Sequence, residues 1–555
     1  MLALLILLAA AFSTGTVRAQ GSLTNGWTHV GLIAPGGETD SWTFAANAGD
    51  TIAIRLGEIT QTNNFTPRIR LMNPLGTQQV VGSGSVVVGV AVTATNTGTF
   101  TVMIDGVAAN ATGAYRVTLL KVPGAITVAP GDEGGPMTNG VTHTGTIDVG
   151  DLDVWTFSAN TGENLTLRVG ELTAGSSLTP GLWIYGPNGA QLDFYGSSTV
   201  ASEVSVRATN SGIFTVVVAD FNAGAAYGGT GGYRLTLAKT GSPVVISPGD
   251  EGGPLTNGVM HTGVIDVGDL DVWTFSANAG ENLTLRMGEM VVGSTLTPAL
   301  WLYGPNGALL DSYGASTAAA EVSVRATNSG TFTVVAADYS GGYAGSGGYR
   351  LTLAKTGSPV AVAEGDEGGR LNGSDTYDGI LNVGDLDVWT FTLCAGETIA
   401  LRLEELTIGS SLTPWLRLYG RDGTLMRSVS GASTAQFSLL ATNGGTFLVV
   451  AGDFSGGYAG SGAYRLTVNG LSDDLRLCDP RISGTNATLS GVGGVFGAEF
   501  TVLTSPLVEA PLATWTPLFT NQFDFYGTFA RTNPFVRNEP KRFFIIRQAG
   551  DPGPN

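Results

Sequence analysis

The sequence predicts an all-β protein built of tandem antiparallel β-sandwich domains, followed by a small C-terminal β module. Three observations carry the prediction: a long internal repeat, period-two alternation of apolar and polar residues within it, and turn-forming residues between the alternating stretches. We find no long segment with the 3.6-residue period of an amphipathic helix. Seven or eight short strands in roughly 110 residues are typical of an antiparallel sandwich.

The internal repeat is marked by Gly-Asp-Leu-Asp-Val-Trp-Thr-Phe, which occurs at 150–157, 268–275 and 384–391, with a weaker copy at 39–44. The period exceeds the 20–50 residues of a solenoid unit, so we expect each copy to be a domain with its own core. The predicted segments are a signal peptide at 1–19, the four copies at 20–122, 123–240, 241–356 and 357–470, and the C-terminal module at 478–548.

The second copy shows the strand pattern most clearly. Apolar and polar residues alternate in Leu-Thr-Leu-Arg-Val at 165–169 and in Tyr-Arg-Leu-Thr-Leu at 233–237. Gly-Pro-Asn-Gly at 186–189 is a turn, because proline fixes φ and Asn-Gly accepts positive φ. The aromatic residues inside the alternating stretches are predicted core residues: Trp155, Phe157, Trp183, Tyr185, Phe214 and Tyr233.

Composition excludes several classes of protein. The chain has 555 residues, of which 45 are acidic and 27 basic, for a net charge of −18. This excess argues against nucleic acid or anionic membranes as partners. Charged residues are only 13% and hydrophobic residues 43%, which is too apolar for a disordered chain.

The N-terminus predicts export. An apolar run too short to span a membrane is followed by Val17-Arg18-Ala19 before Gln20, a small-residue cleavage pattern. The sequence contains no later run of about 18 apolar residues, so we predict no transmembrane segment in the mature chain. We therefore expect a secreted or cell-surface protein.

The two cysteines occupy unusual positions. Cys394 stands where the second and third copies carry Asn160 and Asn278, and Cys478 lies beyond the fourth copy. A disulfide between them would join the last copy to the C-terminal module and stabilise by about 2–4 kcal/mol. The alternative is two buried free thiols.

Acidic residues are the best candidates for chemistry. Each of the last three copies begins with Gly-Asp-Glu-Gly-Gly and carries an Asp-Leu-Asp pair 18 or 19 residues later. Ca²⁺ takes six to eight oxygen ligands, which clustered carboxylates on turns can supply. The alternative is that the first aspartate caps a turn and the other carboxylates are solvated. The candidate Ca²⁺ ligands are Asp132, Glu133, Asp151, Asp153, Asp250, Glu251, Asp269, Asp271, Asp366, Glu367, Asp385 and Asp387.

The motifs of the third copy resemble a known family. Gly-Asp-Leu-Asp-Val-Trp-Thr-Phe, Ala-Gly-Glu-Asn-Leu-Thr-Leu, Leu-Trp-Leu-Tyr-Gly-Pro-Asn-Gly, Ser-Gly-Thr-Phe-Thr-Val-Val and Gly-Tyr-Arg-Leu-Thr-Leu look like the bacterial pre-peptidase C-terminal domain. The resemblance covers residues 21–470 and implies jelly-roll-like sandwiches of the kind appended to secreted proteases and collagenases.

The same resemblance bears on the acidic residues. In collagen-binding relatives, calcium bridges an acidic N-terminal linker and the Gly-Asp-x-Asp turn, and the twelve candidate ligands stand at the equivalent positions. The linker departs from the Glu-Pro-Asn-Asp-like form of those relatives. The first copy departs most, with Gly-Gly-Glu-Thr-Asp-Ser-Trp, so the copy around Asp40 is expected to bind calcium weakly or not at all.

The C-terminal module has its own resemblance. Its short motifs, among them Lys-Arg-Phe-Phe-Ile-Ile-Arg at 541–547, resemble a β module found at the C-termini of exported proteins from Verrucomicrobia-like bacteria. The module could serve as a terminal cap or as an export or anchoring element, and the sequence does not choose between these roles.

Catalytic chemistry is poorly supported by the sequence. One equivalent position of the repeat holds His29, His143 and His261, and the fourth copy has Tyr377 there. A catalytic general base would not be expected to occur three times and then be replaced by tyrosine, so we interpret these histidines as ordinary strand residues. No Gly-x-Ser-x-Gly or His-Glu-x-x-His motif occurs. We expect no enzyme.

The sequence therefore favours an exported, non-catalytic adhesion array that binds an extracellular polysaccharide or protein, with Ca²⁺ stabilising it. A purely structural spacer or envelope component and an accessory part of a secreted hydrolase system are the alternatives. Tyr227, Tyr343 and Tyr458, on Gly-rich loops, could contact a sugar or a partner.

Overall fold

The computed structural model describes residues 16–59, 64–173, 175–196, 200–221, 227–291, 293–314, 317–534 and 541–548. The chain is all-β with almost no helix, as predicted: the described residues hold a single 3₁₀ turn, Leu512–Thr514. The same pair of sheets recurs in four successive copies, which gives a β-rich repeat architecture.

The chain divides into two compact units. The first comprises residues 1–250, 266–270 and 340–345, and it holds the strands of the first two copies. The second comprises residues 251–265, 271–339 and 346–555, and it holds the strands of the last two copies and of the C-terminal module.

In the first unit, the strands of the first copy are β1 (Val17–Ser22), β2 (Thr28–Ile33), β3 (Thr39–Ala46), β4 (Thr51–Glu58), β5 (Pro67–Met72), β6 (Gln78–Ser83), β7 (Val87–Thr93), β8 (Gly98–Gly106) and β9 (Gly113–Val122). Those of the second copy are β10 (Gly134–Pro136), β11 (Thr142–Ile147), β12 (Asp153–Ala159), β13 (Asn164–Glu171), β14 (Pro180–Tyr185), β15 (Gln191–Tyr195), β16 (Ala201–Arg207), β17 (Gly212–Asp220) and β18 (Gly231–Lys239).

In the second unit, the strands of the third copy are β19 (Gly252–Pro254), β20 (Met260–Ile265), β21 (Asp271–Ala277), β22 (Asn282–Glu289), β23 (Pro298–Tyr303), β24 (Leu309–Gly314), β25 (Ala319–Arg325), β26 (Gly330–Asp338) and β27 (Gly347–Lys355). Those of the fourth copy are β28 (Gly368–Arg370), β29 (Thr376–Leu381), β30 (Asp387–Leu393), β31 (Thr398–Glu405), β32 (Pro414–Tyr419), β33 (Leu425–Ser430), β34 (Thr434–Leu440), β35 (Gly445–Asp453) and β36 (Gly462–Asn469).

The C-terminal module follows in the second unit. Its strands are β37 (Arg476–Leu477), β38 (Arg481–Ser483), β39 (Asn486–Val492), β40 (Glu499–Ser505), β41 (Thr516–Gln522), β42 (Phe529–Pro534) and β43 (Phe543–Gln548). They form one sheet around β39 and a three-stranded sheet in the order β41-β40-β43, with a shared phenylalanine-rich core.

Each copy has a five-stranded and a four-stranded sheet. In the second copy the orders are β10-β12-β17-β14-β15 and β11-β18-β13-β16, and the other copies repeat them. Neighbouring strands are antiparallel, except that the short first strand of each five-stranded sheet pairs in parallel with the strand carrying the repeated tryptophan.

The core of the second copy takes side chains from both sheets. Trp155 and Phe157 on β12 are buried with Leu165 and Leu167 on β13 and with Tyr233 on β18. Side chains on a strand alternate between its two faces, so the alternating residues identified in the sequence meet in one cluster.

Trp183 and Tyr185 lie outside this core cluster, and Tyr185 is buried in a second cluster with Leu120 and Val122 of the first copy. The Trp183 ring is only half-buried, and it stacks on the exposed Phe194 at a centroid distance of 6.4 Å. Its neighbours Leu182 and Ile184 are both in the core, so Trp183 has to point to the other face of the sheet.

The repeated tryptophan belongs to a buried hydrogen-bond chain. In the second copy, Trp155 Nε1 donates to the Tyr233 hydroxyl at 2.9 Å, and that hydroxyl donates to Asp153 Oδ2 at 2.6 Å. Tyr233 lies on the other sheet, so the chain joins the two sheets while satisfying buried polar groups. The first and third copies have the same tryptophan-to-tyrosine bond, whereas Trp389 Nε1 of the fourth copy has no hydrogen-bond partner among the described residues.

The predicted signal peptide is described only in part. Residues 1–15 lie outside the described residues. Val17, Arg18 and Ala19 belong to β1 and pair in parallel with Thr39, Asp40 and Ser41.

Candidate metal centres at the junctions between copies

Short parallel strands bring the two acidic motifs together. In the second copy, Gly134 on β10 pairs with Val154 on β12, so Asp132 and Glu133 reach the start of β12, where Asp153 lies. Gly134 has φ of 135°, and a Cβ there would lie 2.5 Å from the Val154 carbonyl oxygen. A glycine is therefore required for the linker to approach this closely.

Two groups of carboxylates form in this way, one in each unit. Asp132, Glu133 and Asp153 each offer an oxygen within 4.8 Å of the others, as do Asp366, Glu367 and Asp387 of the fourth copy. The first two members of each group are partly exposed and the third is buried, so each group opens to solvent on one side.

Asp153 is the unusual member of its group. Its side chain is 0% exposed; Oδ2 accepts from Tyr233, and Oδ1 has no hydrogen-bond partner among the described residues. Burial raises the pKa of Asp153 to about 9, with repulsion from Asp151, Asp132 and Glu133 acting in the same direction. A buried carboxylate of this kind needs a proton or a cation.

Asp387 repeats the arrangement in the fourth copy. It is 0% exposed, it accepts from the Tyr464 hydroxyl, and its Oδ1 has no partner among the described residues. Burial, followed by repulsion from Asp385, raises the pKa of Asp387 well above its ordinary value.

The first copy supplies an internal contrast. Asp40 is equally buried and accepts from the Tyr115 hydroxyl at 2.7 Å, but its Oδ1 also accepts from the Gln20 side-chain amide at 2.5 Å. A neutral donor thus bonds the buried aspartate of the first copy, whereas two further carboxylates lie near the buried aspartates of the second and fourth copies. The copy in which the sequence predicts weak or absent calcium binding has its carboxylate satisfied internally.

The first aspartates of the Asp-Leu-Asp pairs lie outside these two groups. Asp151 Oδ1 accepts from the Leu152 amide at 2.9 Å and from the Thr28 hydroxyl of the preceding copy at 3.0 Å. Asp385 Oδ1 likewise accepts from the Leu386 amide at 2.9 Å. Burial raises the pKa of Asp151 to about 6 and that of Asp385 to about 7. These two residues have the turn-capping geometry of the alternative interpretation.

The candidate ligands of the third copy fall in both units. In the first unit, Asp250 accepts from the Thr142 hydroxyl, and Asp269 accepts from the Thr236 hydroxyl at 3.3 Å. In the second unit, Asp271 accepts from the Tyr349 hydroxyl at 2.6 Å, and Glu251 accepts from the Val264 amide at 3.2 Å.

The two groups lie where one copy meets the next. Arg116 of the first copy donates to Val149 O at 3.0 Å and to Asp148 at 2.9 Å, just before the second copy's Asp-Leu-Asp. Arg350 donates to Val383 O at 2.8 Å at the corresponding place before the fourth copy.

The backbones also pack closely at these junctions. A Cβ on Gly57 would lie 2.6 Å from Gly150, and a Cβ on Gly170 would lie 2.5 Å from Gly268, in both cases against backbone atoms. These glycine pairs were not singled out in the sequence, although a signal exists. In the first three copies an arginine is followed two residues later by a glycine, namely Gly57, Gly170 or Gly288. The fourth copy is not followed by another repeat, and it carries Glu404 at this position.

The tyrosines of the Gly-rich loops also contact the preceding copy. Tyr343 lies over the Arg168 guanidinium with 4.7 Å between the ring centroid and Cζ, and Tyr458 lies over Arg286 at 4.7 Å. Arg55 Nη2 donates to the Tyr227 carbonyl at 2.9 Å. These contacts account for the tyrosines without an external sugar or partner.

The histidines serve as hydrogen-bond acceptors. His143 Nε2 accepts from the Thr138 amide at 3.2 Å, and the ring lies 5.0 Å from that of Trp155. Tyr377 takes the same role in the fourth copy, where its hydroxyl accepts from the Asn372 amide at 2.8 Å. The shared function explains how tyrosine replaces histidine.

The cysteines form a disulfide, Cys394–Cys478, across 84 residues. Arg476 reinforces the connection, because its Nε and Nη2 donate to the two oxygens of Glu397 at 2.8 Å each. The bond joins the residue that follows β30 of the fourth copy to the segment between β37 and β38 of the C-terminal module.

Comparisons with known proteins add little. No family model and no curated protein matches the chain. The pre-peptidase C-terminal domain of a Bacillus anthracis collagenase is 19% identical, and the match covers 19% of this chain and 96% of that domain, with a TM-score of 0.17.

Two further solved structures are similar in part. The CUB1-EGF-CUB2 region of human MASP-1/3 is 10% identical, over 38% of this chain and 99% of its own length, with a TM-score of 0.13. A structure of Clostridium perfringens ZmpB, with its M60 catalytic domain and its CBM51-1 and CBM51-2 domains, is 10% identical. The match covers 59% of this chain and 34% of that structure, with a TM-score of 0.14. None of these matches establishes a family. In the part of the chain that is described, no helix is long and apolar enough to cross a membrane.

Proposed function

We propose that the protein is an exported, non-catalytic binding array whose junctions between copies are stabilised by Ca²⁺. The observation that carries the proposal is the pair of fully buried aspartates, Asp153 and Asp387. The Oδ1 atom of each has no hydrogen-bond partner among the described residues, and each side chain lies beside two further carboxylates.

The donor sets fit Ca²⁺. Their ligand atoms are all carboxylate oxygens, which hard cations prefer, and Ca²⁺ binds oxygen at about 2.3–2.6 Å. Oxygens on opposite sides of one ion are therefore separated by about 5 Å, which matches groups of oxygens within 4.8 Å of one another. Asp132, Glu133 and Asp153 would hold one ion, and Asp366, Glu367 and Asp387 another. The ion would supply positive charge that offsets the mutual repulsion of the carboxylates.

The finer architecture is part of the proposal. We assign each copy as a jelly-roll-like sandwich, because antiparallel pairing dominates and one core takes side chains from both sheets. A β-solenoid of stacked coils is the alternative for an all-β repeat protein, and the antiparallel ladders favour the sandwich.

Export and binding are supported by different observations. The Cys394–Cys478 disulfide suits an oxidising compartment, in line with the N-terminal apolar run. Cation-stabilised junctions would hold successive copies in a fixed order suited to displaying a surface to an extracellular polysaccharide or protein. A structural spacer without a ligand and an accessory part of a hydrolase system remain the competing functions.

Equilibrium dialysis with radioactive calcium tests the cation sites. We expect Asp153→Asn and Asp387→Asn each to remove one bound ion per chain, and Asp40→Asn, the matched control in the first copy, to remove none. Wild-type protein that binds no calcium at pH 8, or an unchanged stoichiometry in both variants, would refute the proposal.

A binding screen separates the array from the spacer. The intact protein is assayed against immobilised polysaccharides and collagen, in calcium and in EDTA. Retention on a polymer, weakened in EDTA, supports the array, whereas no retention on any polymer in calcium favours the spacer.

A further inference from the structure

A second candidate site lies in the second unit, between the fourth copy and the C-terminal module. It is a cavity of about 570 Å³, and its wall includes Arg421, Thr442, Asn443 and Arg481. Arg481 belongs to β38 of the module, whereas the other three residues lie on loops of the fourth copy. The volume is within the range of about 300–1,000 Å³ that is usual for small-molecule sites.

Arg421 is specific to the fourth copy. It lies in the turn between β32 and β33, where the first three copies carry Pro74, Pro187 and Pro305. In the second copy a Cβ on Gly212 would lie 2.7 Å from Pro187 Cβ, and in the fourth a Cβ on Gly445 would lie 3.1 Å from Arg421 Cδ. The aliphatic part of Arg421 thus covers the same glycine as the proline does, and its guanidinium adds a positive charge that the other copies lack in this turn.

Both arginines have donors available for a ligand. The Arg421 side chain is exposed, and it has no hydrogen bond or ion pair among the described residues. Arg481 is also exposed; its Nη2 donates to Asn443 Oδ1 at 2.9 Å, while its Nε and Nη1 have no partner in the described part of the chain. A guanidinium pairs with a carboxylate or a similar oxyanion through two parallel hydrogen bonds, so the wall favours an anionic group.

The uncharged part of the wall combines polar and apolar groups. The Thr442 hydroxyl and the Asn443 amide nitrogen have no hydrogen-bond partner among the described residues. Met426 and Phe447, which both belong to or pack against the core of the fourth copy, supply an apolar surface. A sugar ring presents hydroxyl groups at its edge and C–H groups on its faces, so it matches a wall with a few polar groups beside an apolar surface.

The nearby acidic residues leave the wall positively charged. Asp422 is the one carboxylate in the wall, against two guanidinium groups. Its oxygens accept from the Thr424 amide at 3.0 Å and from the Thr424 hydroxyl at 2.8 Å, and these bonds lower its pKa. Asp479 and Asp524 line a neighbouring cavity that shares both arginines or one of them, and neither forms an ion pair with them in the described part of the chain. The site therefore suits a ligand with few negative charges, because the net charge of −18 would repel a polyanion.

We propose that this cavity binds a short acidic saccharide, whose carboxylate or sulfate accepts hydrogen bonds from Arg421 and Arg481 and whose hydroxyl groups bond to Thr442 and Asn443. The proposal rests on the binding role proposed above and names the class of ligand at one place in the array. It does not involve the calcium sites.

The test is titration of the intact protein, by calorimetry or ligand-observed NMR, with two acidic disaccharides and their neutral counterparts. Digalacturonate is compared with its dimethyl ester, and neocarrabiose sulfate with neocarrabiose. We expect at least one acid to bind at least about tenfold more tightly than its neutral counterpart. Binding of digalacturonate alone identifies the anion as a carboxylate, and binding of neocarrabiose sulfate alone identifies it as a sulfate.

Three results overturn the proposal. They are failure of both acidic disaccharides to bind at about 10 mM, equal binding of the acidic and neutral disaccharides, and tighter binding of the acidic dipeptide Glu-Glu than of either disaccharide. Equal binding of acidic and neutral disaccharides would remove only this inference and leave the proposed polysaccharide-binding role standing.

Two variants locate the binding. Arg421→Pro introduces the residue that the first three copies carry, so the turn should be retained. Arg481→Gln removes the second guanidinium from an exposed position. We expect each variant to weaken acid binding at least about tenfold and to leave the melting temperature unchanged. The matched control is Arg427→Gln, which removes an equal charge from an exposed arginine of the same copy outside the wall. Acid binding equal to wild type in both variants, or an equal loss in the control, overturns the proposal.

Discussion

At the scale of single residues, the decisive feature is one oxygen of a buried aspartate that has no hydrogen-bond partner in the described part of the chain. Asp40, Asp153 and Asp387 share strand position, burial and a tyrosine donor, and they differ in what faces Oδ1. In the first copy Oδ1 accepts from the Gln20 amide, whereas in the second and fourth copies Oδ1 has no partner among the described residues and two further carboxylates lie near the side chain. The difference lies outside the repeated octapeptide: Gln20 is within β1, whereas the two further carboxylates of the second and fourth copies come directly before β10 and β28.

The raised pKa of Asp153 predicts how stability depends on pH. Burial and the neighbouring carboxylates raise the pKa of Asp153 to about 9 from its ordinary value of 3.8. Between these values the folded state binds more protons than the unfolded state, so the free energy of unfolding falls as pH rises. We expect the melting temperature in EDTA to decrease from pH 6.5 to 8.5, and this decrease to be smaller in Asp153→Asn. A melting temperature that rises over this range in EDTA contradicts the assignment.

The histidines predict the opposite slope at acidic pH. Burial lowers the pKa values of His29, His143 and His261 below 6.5, and a neutral ring is needed for Nε2 to accept a backbone amide. Their contribution to stability is present above pH 6.5 and is lost as pH falls through the folded-state pKa. Replacing all three by tyrosine, the residue of the fourth copy, should reduce the loss of melting temperature between pH 6.5 and 5. An unchanged slope would show that these rings do not titrate on unfolding.

At the scale of elements, the junctions depend on glycine. Gly57 on β4 packs against Gly150, and a Cβ there would lie 2.6 Å from backbone atoms that cannot move aside cheaply. We expect Gly57→Ala to destabilise the protein by about 1–3 kcal/mol, the range for overpacked sites. Chemical denaturation followed by tryptophan fluorescence measures the change.

Gly89→Ala is the matched control for that substitution. Gly89 lies on the adjacent strand, β7, and a Cβ there meets no atom within 4 Å. Its effect should stay within about 0.5 kcal/mol, as for an ordinary surface change. Equal destabilisation by the two alanines would mean that the junction is not close-packed.

The elements also show what the sequence could predict. Alternation and turn residues predicted strands such as β13 and β18 correctly, because the face of each strand that is turned to the core carries apolar residues and the other face carries the polar ones. The pairing of a three-residue strand with β12 could not be read from Gly-Asp-Glu-Gly-Gly, since its cause is backbone hydrogen bonding. For that reason the sequence placed all four acidic residues of a copy in one site, whereas Asp151 lies outside the group around Asp153.

The arginines show a second limit. Arg168 and Arg286 appear in the sequence as polar residues alternating with apolar ones, which usually indicates a solvent-facing side chain. They are buried instead, because the following copy supplies Tyr343 and Tyr458 to cover them. Burial by a neighbouring copy does not change the alternation of apolar and polar residues along the strand, so the sequence pattern does not reveal it. The fourth copy, with no repeat after it, has the exposed Arg402 at this position.

At the scale of the whole molecule, the disulfide predicts how the C-terminal module is held. Cys394→Ser with Cys478→Ser removes a crosslink spanning 84 residues. We expect a loss of about 2–4 kcal/mol and easier proteolysis between residues 470 and 480. Dithiothreitol should reproduce the effect in wild type and leave the double variant unchanged. Equal protease resistance of the two proteins would show that Arg476 and Glu397 suffice.

The most direct test of the central claim is thermal unfolding of the intact protein at pH 8, in calcium and in EDTA. Because binding to the folded state alone stabilises it, we expect calcium at 100 times its dissociation constant to add about 2.7 kcal/mol per site. The melting temperature should therefore rise in calcium, and the rise should shrink in Asp153→Asn combined with Asp387→Asn but not in Asp40→Asn. A wild-type melting temperature that is the same in calcium and in EDTA would contradict the account.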